Sequence, residues 1–439
     1  MLEPNRRGLV VAHGLGSGKT LTSIATQEAL GIEADIVVPA SLLKNYQAQV
    51  QRWAPGSKLK RNYFSLQACA RDYHLAGTIW APLVIIDEGH RGKNHLSATT
   101  RRIFGSHRDD QKRMVLTATP FYDHPSDIAP LIETIDTGDD YVMEGDSFNA
   151  YIEETIVPVG WWQRLAHDAY DGVEYHLRQC LAEDLRQRFS HTVDYHANNT
   201  EGFPRVSRTT VKVAMTEAQQ REHDRLRGLA PPWVNGIVDS GLQPSRRDAA
   251  KLDAFLTASR QACDCYRNES SKFDTAARML QTTLLGNPRA KVVVYSKFIT
   301  AGLDPYRQRL DALGIQYVSF TGKESKTARD QAVQRYNQGK VRVLIVSSAG
   351  GEGLDLVGTR VMQVLDGHFN QAKLDQVEGR AVRYGSHAHL PEAEREVEVQ
   401  SFISANRNGK GLSSDEHLAV MCAKKEQLLN EFRALLPSE

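Results

Sequence analysis

Along the chain, short apolar runs bounded by turn or polar residues alternate with longer stretches whose apolar positions recur at helical spacing. Gly8–His13 (GLVVAH), Asp35–Pro39 (DIVVP), Leu83–Asp87 (LVIID) and Arg113–Thr117 (RMVLT) predict buried strands, because each is brief and rich in β-branched or aliphatic residues. Between them, Leu21–Leu30 and Leu42–Trp53 predict helices. Strand and helix in alternation is the pattern of a parallel sheet covered by helices. From Ser126 to Asn199 the pattern lengthens and gains the aromatics Trp161, Trp162 and Tyr170, which predicts a mostly helical protrusion. A second series of strands is predicted at Arg208–Ala214, Ala290–Ser296, Ile315–Phe320, Val341–Ser347, Arg360–Asp366 and Glu396–Ile403. A helical insert, Thr216 to Leu285, interrupts that series, and an amphipathic helix over Ser413–Leu436 closes the chain. The expectation is an α/β protein of two parallel-sheet lobes in tandem, residues 1–200 and 201–439, each with a mostly helical insertion.

Composition narrows the class. At 439 residues the chain can bury sizeable cores without disulfide or metal staples. Lys+Arg is 54 against Asp+Glu 53, a net charge of +1, so any phosphate contact must come from local arrangement rather than a basic surface. Five scattered cysteines show no paired spacing for zinc and suit reduced thiols. The N-terminus lacks an apolar core of the secretory kind, and no run approaches the length of a membrane span. Those features predict a cytoplasmic protein with no membrane partner, within a bacterial or host cell, or its nucleus if the host is eukaryotic.

The chemistry-bearing residues follow the predicted strands. Gly14-Leu15-Gly16-Ser17-Gly18-Lys19-Thr20 comes between a strand and a helix. Glycines there let backbone N–H groups turn inward around phosphate oxygens, and the helix N-terminus favours the anion. Lys19 is expected at the β- and γ-phosphates and Thr20 on Mg²⁺, although His13 stands where the strict pattern has glycine. Asp87 and Glu88 end a later strand, as Mg²⁺-dependent phosphoryl transfer requires, with Asp87 toward the metal and Glu88 toward the attacking water. In isolation, such a pair is equally a solvated acidic turn. Thr117 and Thr119 end the next strand, as hydroxyls linking a nucleotide site to a polynucleotide or as the polar end of a turn. A second glycine-rich loop contains Ser348, Gly353 and Asp355, and Gln376 precedes Arg380 and Arg383, placed three apart on one helix face. Planar guanidinium suits charge spread over phosphoryl oxygens; alone, the two arginines read as a surface ion-pair site.

Taken in order, GLGSGKT, DEGH, TATP, AGGEGLDL and QVEGRAVR resemble motifs I, II, III, V and VI of the superfamily 2 helicases and translocases. Val38–Tyr46, DEGHRGKN and VVVYSKF are similar to motifs Ia, II and IV of its Swi/Snf-type branch, and Arg383–His387 with the terminal helix looks most like virus- or phage-encoded members. The resemblance runs from about Gly8 to Ile403.

It implies two RecA-like lobes, ATP and Mg²⁺ as cofactors, and nucleic acid across both lobes. It assigns Gly14, Gly16, Ser17, Gly18, Lys19, Thr20, Gly353 and Asp355 to nucleotide binding, with Thr20 and Asp87 on the metal. Lys19, Asp87, Glu88, Arg380 and Arg383 are implied in catalysis. Ser41, Lys44, Ser296, Lys297, Thr321 and Ser348 fall on motifs that touch the sugar-phosphate backbone, and His90, Thr117, Thr119 and Gln376 on motifs that couple the two events. Two departures stand out. The family carries a glutamine-bearing adenine reader upstream of the loop, whereas thirteen residues precede Gly14, so weak base selectivity is expected. The Leu-Arg-Arg segment common before the second lobe is not evident near Phe189–Asn199. The function expected is an ATP-driven translocase on double-stranded DNA, favoured over RNA, with the helical insertions as candidate docking surfaces for proteins. The alternatives are a strand-separating or branch-migrating helicase, and a nucleotide-gated subunit of a transcription or packaging assembly.

Overall fold

The computed structural model of the chain describes residues 1, 6–14, 17–93, 97, 103, 110–135, 145–157, 172–197, 201–244, 249–348, 354–367 and 371–437. They pack into two compact units: 1–153, 175–199 and 425–439 in the first, 154–174 and 200–424 in the second.

The first unit is built on six strands, Gly8–His13 (β1), Ala34–Val38 (β2), Arg61–Ser65 (β3), Leu83–Ile86 (β4), Lys112–Thr117 (β5) and, after the pair described below, Val193–His196. Between β5 and that last strand come Ile152–Val157 (β6) and Gly172–Leu177 (β7), which pair with each other; Val193–His196 is therefore β8. The sheet order is β3-β2-β4-β5-β1-β8, and every neighbouring pair is parallel. Alternate residues serve opposite faces, so Val10 and Ala12 join one apolar cluster while Leu9 and Val11 join the other. Burial on both sides explains why β1, β2 and β4 read as unbroken apolar runs.

In the second unit the strands are Arg205–Ala214 (β9), Val292–Tyr295 (β10), Tyr317–Phe320 (β11), Val343–Val346 (β12), Val361–Val364 (β13) and Glu396–Ala405 (β14). Their order is β11-β12-β10-β13-β14-β9, again parallel throughout. Between β9 and β10 the described residues form four helices, Glu217–Leu229, Pro232–Ser240, Ala249–Asp264 and Ser271–Gly286. Lys272 is fully buried there between Asp264 (2.6 Å) and Asp415 (2.8 Å).

Two expectations need correction. The stretch from 126 to 199 is not simply helical, since it contributes β6, β7 and β8, and β8 joins the main sheet beside β1. Trp161, Trp162 and Tyr170 lie outside the described residues. The C-terminal helix Ser414–Arg433 does not belong wholly to the second unit. Leu418 packs with the helical insert, whereas Leu428, Leu429, Phe432, Leu435 and Leu436 enter the core of the first unit. Phe432 sits 6.2 Å from Phe121 and 5.9 Å from Phe148 between ring centres. Among the described residues, no helix is long and apolar enough to cross a membrane.

Candidate nucleotide-binding site

The phosphate loop leaves β1 at its C-terminal edge and enters the helix Lys19–Leu30. Gly18, the residue before that helix, has φ 83°, a conformation in which a side chain would be strained. The Ser17 hydroxyl donates to Gly14 O (2.6 Å), and Lys19 Nζ donates to His13 O (2.9 Å) and Gly14 O (2.8 Å). Burial draws the Lys19 pKa below its ordinary value, opposed by the charges of Glu88 and Asp87. Thr20 lies half-buried in the first turn, while Gly16 lies outside the described residues.

The acid pair follows β4 in the same unit. Asp87 is 8% exposed, its N–H bonded to Val37 O of β2 (2.9 Å) and its Oδ1 accepting the Glu88 N–H (2.8 Å). Burial first, then the neighbouring Glu88 charge, pushes the Asp87 carboxyl up to about 7. Glu88 adopts φ 56°, one of three non-glycine residues with positive φ among those described. A left-handed glutamate costs on the order of 1 kcal/mol or more, which the surroundings must impose. They do so through Gly89: a Cβ there would lie 2.4 Å from Val115 Cγ1 of β5, so the chain passes too close to the sheet to relax. His90 Nδ1 lies 3.3 Å from Glu88 Oε2, and its ring stacks on Tyr122 at 5.2 Å and 5°. Lys93 Nζ is 4.0 Å from the Tyr122 ring centre and pairs with Asp123. His90 thus joins the acid to the segment after β5, where Thr117 Oγ1 accepts the Thr119 N–H (3.1 Å) and the buried Thr119 hydroxyl has no hydrogen-bond partner.

A hard divalent cation fits this group. Thr20, Asp87 and Glu88 offer oxygen atoms alone, which suit Mg²⁺, and the repulsion between the two adjacent carboxyls that raises Asp87 is what a bound cation would relieve.

The second unit's candidates separate into two kinds. Arg380 lies half-buried on the helix Gln371–Ala381, with Gln376 half-buried one turn earlier. Arg383 is not on that helix, as the sequence predicted, because the helix stops at Ala381 and a turn through Ser386 follows. In that turn Ser386 Oγ receives the Arg383 N–H (3.3 Å) and donates to Arg383 O (2.8 Å). The Arg383 guanidinium faces Asp355 at 3.5 Å, so the glycine-rich loop and the arginine segment meet within this unit. Gly353 lies outside the described residues. Ser41, Lys44, Lys297 and Ser348 are exposed. Ser296 and Thr321 are fully buried: the Ser296 hydroxyl donates to Phe298 O (2.9 Å), and the Thr321 hydroxyl bonds Glu324 (2.6 Å). Both therefore shape their loops from beneath rather than presenting a hydroxyl to solvent. Sequence reasoning missed the Glu378–Arg208 pair (2.8 Å), which ties the arginine helix to edge strand β9; the buried glutamate in QVEGR was its only signal.

Each unit is a parallel sheet with its loops at the strand ends, and the first carries a phosphate loop and an acid pair; together they define an ATP-hydrolysing enzyme. Residues 62–264 match the SNF2-related domain and residues 271–385 the helicase conserved C-terminal domain. The chain thus carries an SNF2-related domain followed by a helicase C-terminal domain, and it is similar to the Swi/Snf-type branch of superfamily 2 and to its virus-encoded members. It is 27% identical, over 98% of its length and 93% of the relative's, to a protein of Acanthamoeba polyphaga mimivirus whose name describes an ATP-dependent RNA helicase. It is 29% identical to nucleoside triphosphatase I of Heliothis armigera entomopoxvirus, over 45% of this chain and 30% of that one. The Sulfolobus solfataricus SWI2/SNF2 ATPase core in complex with dsDNA covers 98% of this chain and is itself covered over 93%, at 17% identity and a TM-score of 0.37.

Proposed function

We propose that this ATPase moves along double-stranded DNA, coupling hydrolysis to tracking of the backbone without separating the strands. The observation that carries the reading is the SNF2-related domain spanning the acid pair, followed in the same chain by a helicase C-terminal domain spanning the arginine segment. In this reading Ser17, Gly18 and Lys19 hold the phosphates, with Lys19 exchanging its carbonyl partners for phosphate oxygens. Thr20 and Asp87 hold Mg²⁺, which when bound offsets the charge of the phosphates. Glu88 Oε accepts a proton from the attacking water, with the His90 ring beside that carboxylate. Arg380 and Arg383 supply positive charge to the phosphoryl group. Ser41, Lys44, Lys297 and Ser348 are the exposed side chains offered to the backbone.

The test measures ATPase stimulation side by side with duplex DNA, single-stranded DNA, forked DNA and duplex RNA, and adds displacement of a third strand from a triplex. Strongest stimulation by duplex DNA, with triplex displacement but no fork unwinding, is the expected result. Unwinding of a fork, or greater stimulation by RNA, would overturn it.

A further inference from the structure

Beside the phosphate loop lies a group of side chains that the nucleotide site does not use. Strands β1 and β8 run parallel with His13 opposite His196 and Val11 opposite Asp194. Paired residues of parallel strands, and residues two apart on one strand, point to the same face. His13, Asp194 and His196 therefore share one face, at the end where the phosphate loop begins.

Their side chains converge. His13 Nε2 lies 2.9 Å from Asp194 Oδ2, and the two imidazoles meet edge to face at 4.5 Å between centres. One donor atom from each of the three lies within 4.8 Å of the others. A tetrahedral metal with bonds of about 2.0–2.1 Å holds its ligands roughly 3.3 Å apart, so modest side-chain rotation brings all three into place. The His13 side chain is 7% exposed and that of Asp194 41%, which leaves one side open to solvent.

We propose that His13, Asp194 and His196 bind a divalent transition-metal ion of the zinc class at the root of the phosphate loop. Two imidazoles and one carboxylate with an open side form a three-ligand set that leaves a coordination position for water. The site lies where it can act on the loop: His196 O receives the Gly14 N–H (3.0 Å), and His13 O receives Lys19. A bound ion would clamp β1 to β8 behind the glycines. It also accounts for a histidine standing where the strict phosphate-loop pattern has glycine.

The experiment titrates the full chain with Co²⁺ in excess Mg²⁺, so that oxygen-only sites such as Asp87 and Glu88 are already filled. Visible d–d bands saturating at one equivalent, without thiolate charge-transfer bands from the five free cysteines, are expected. Zn²⁺ should erase those bands by competition. Asp194→Asn and His196→Gln, both on the sheet's edge strand, should each lose the signal while keeping the wild-type circular dichroism. No cobalt uptake by the wild type under these conditions would overturn the proposal. So would retention of the bands in either variant, which would leave only a hydrogen-bonded histidine–aspartate pair.

Discussion

Single residues at the nucleotide site make opposing demands on one another, and their titration exposes this. Asp87 has its carboxyl raised to about 7, by burial and then by the Glu88 charge, so it resists ionisation. Such a group contributes stability that is lost as pH rises from about 4 to about 7, because the unfolded chain gives up that proton first. Mg²⁺ binding must displace the proton, so the rise in melting temperature caused by Mg²⁺ should shrink as pH falls from 8 to 6. Thermal melts with and without Mg²⁺ across that range check this, and an equal shift at both ends would contradict the assignment of Asp87 as ligand. Lys19→Ala should abolish measurable hydrolysis. Glu88→Gln should keep nucleotide binding while slowing turnover by about 10²–10⁴-fold, the usual worth of a positioned general base. Stopped turnover assays beside nucleotide titrations separate the two, and a Glu88→Gln enzyme with wild-type turnover would remove the base from this account.

Elements were legible where burial on both faces wrote an unbroken apolar run. The sequence placed β1, β2, β4 and β5 and the later β10, β12 and β13 to within a few residues for that reason. It missed β3, whose Arg61–Ser65 is half-buried throughout and sends only Tyr63 and Phe64 toward the cores, and β8, whose Val193 and Tyr195 alternate with the polar Asp194 and His196 over only four residues. Sites followed the same rule. The glycine loop and acid pair announced themselves by composition, whereas the burial of Ser296 and Thr321 depends on which way their loops fold, and no local pattern records that. Nor could periodicity say that the two ends of the helix Ser414–Arg433 pack in different cores. Phe432 measures the second of those contacts. Fully buried beside Phe121 and Phe148, it should cost about 3–5 kcal/mol of the first unit's stability as Phe432→Ala. Denaturant melts of the full chain, followed by a probe in the first unit, read that loss; a change under about 1 kcal/mol would mean that the aromatic cluster closes without it.

For the whole molecule, near-neutrality makes the electrostatic prediction sharp. Backbone tracking releases condensed counterions wherever Lys or Arg meets phosphate, so DNA affinity should fall steeply with salt despite a net charge of +1. Fluorescence anisotropy over a salt series gives the slope, and a flat series would exclude a backbone-tracking motor. Arg383→Ala should keep nucleotide affinity and a slow basal rate while losing most DNA stimulation, since such arginines can be worth about 10³-fold or more. ATPase rates with and without saturating duplex decide it. The path of the chain also sets an order of events during synthesis. Domains usually fold as they leave the ribosome, N-terminal first. Here residues 1–153 and 175–199 are made before most of the second unit, yet their core is completed only by residues 425–439, after the second unit has been translated. At about 5–20 residues per second that gap lasts roughly ten seconds or more, during which the nascent first unit has Phe121 and Phe148 without the Phe432 ring that packs on them. A message truncated before the last helix would release a polypeptide with both sheets encoded and neither the first core closed nor that apolar surface hidden, a natural client for chaperones and quality-control proteases.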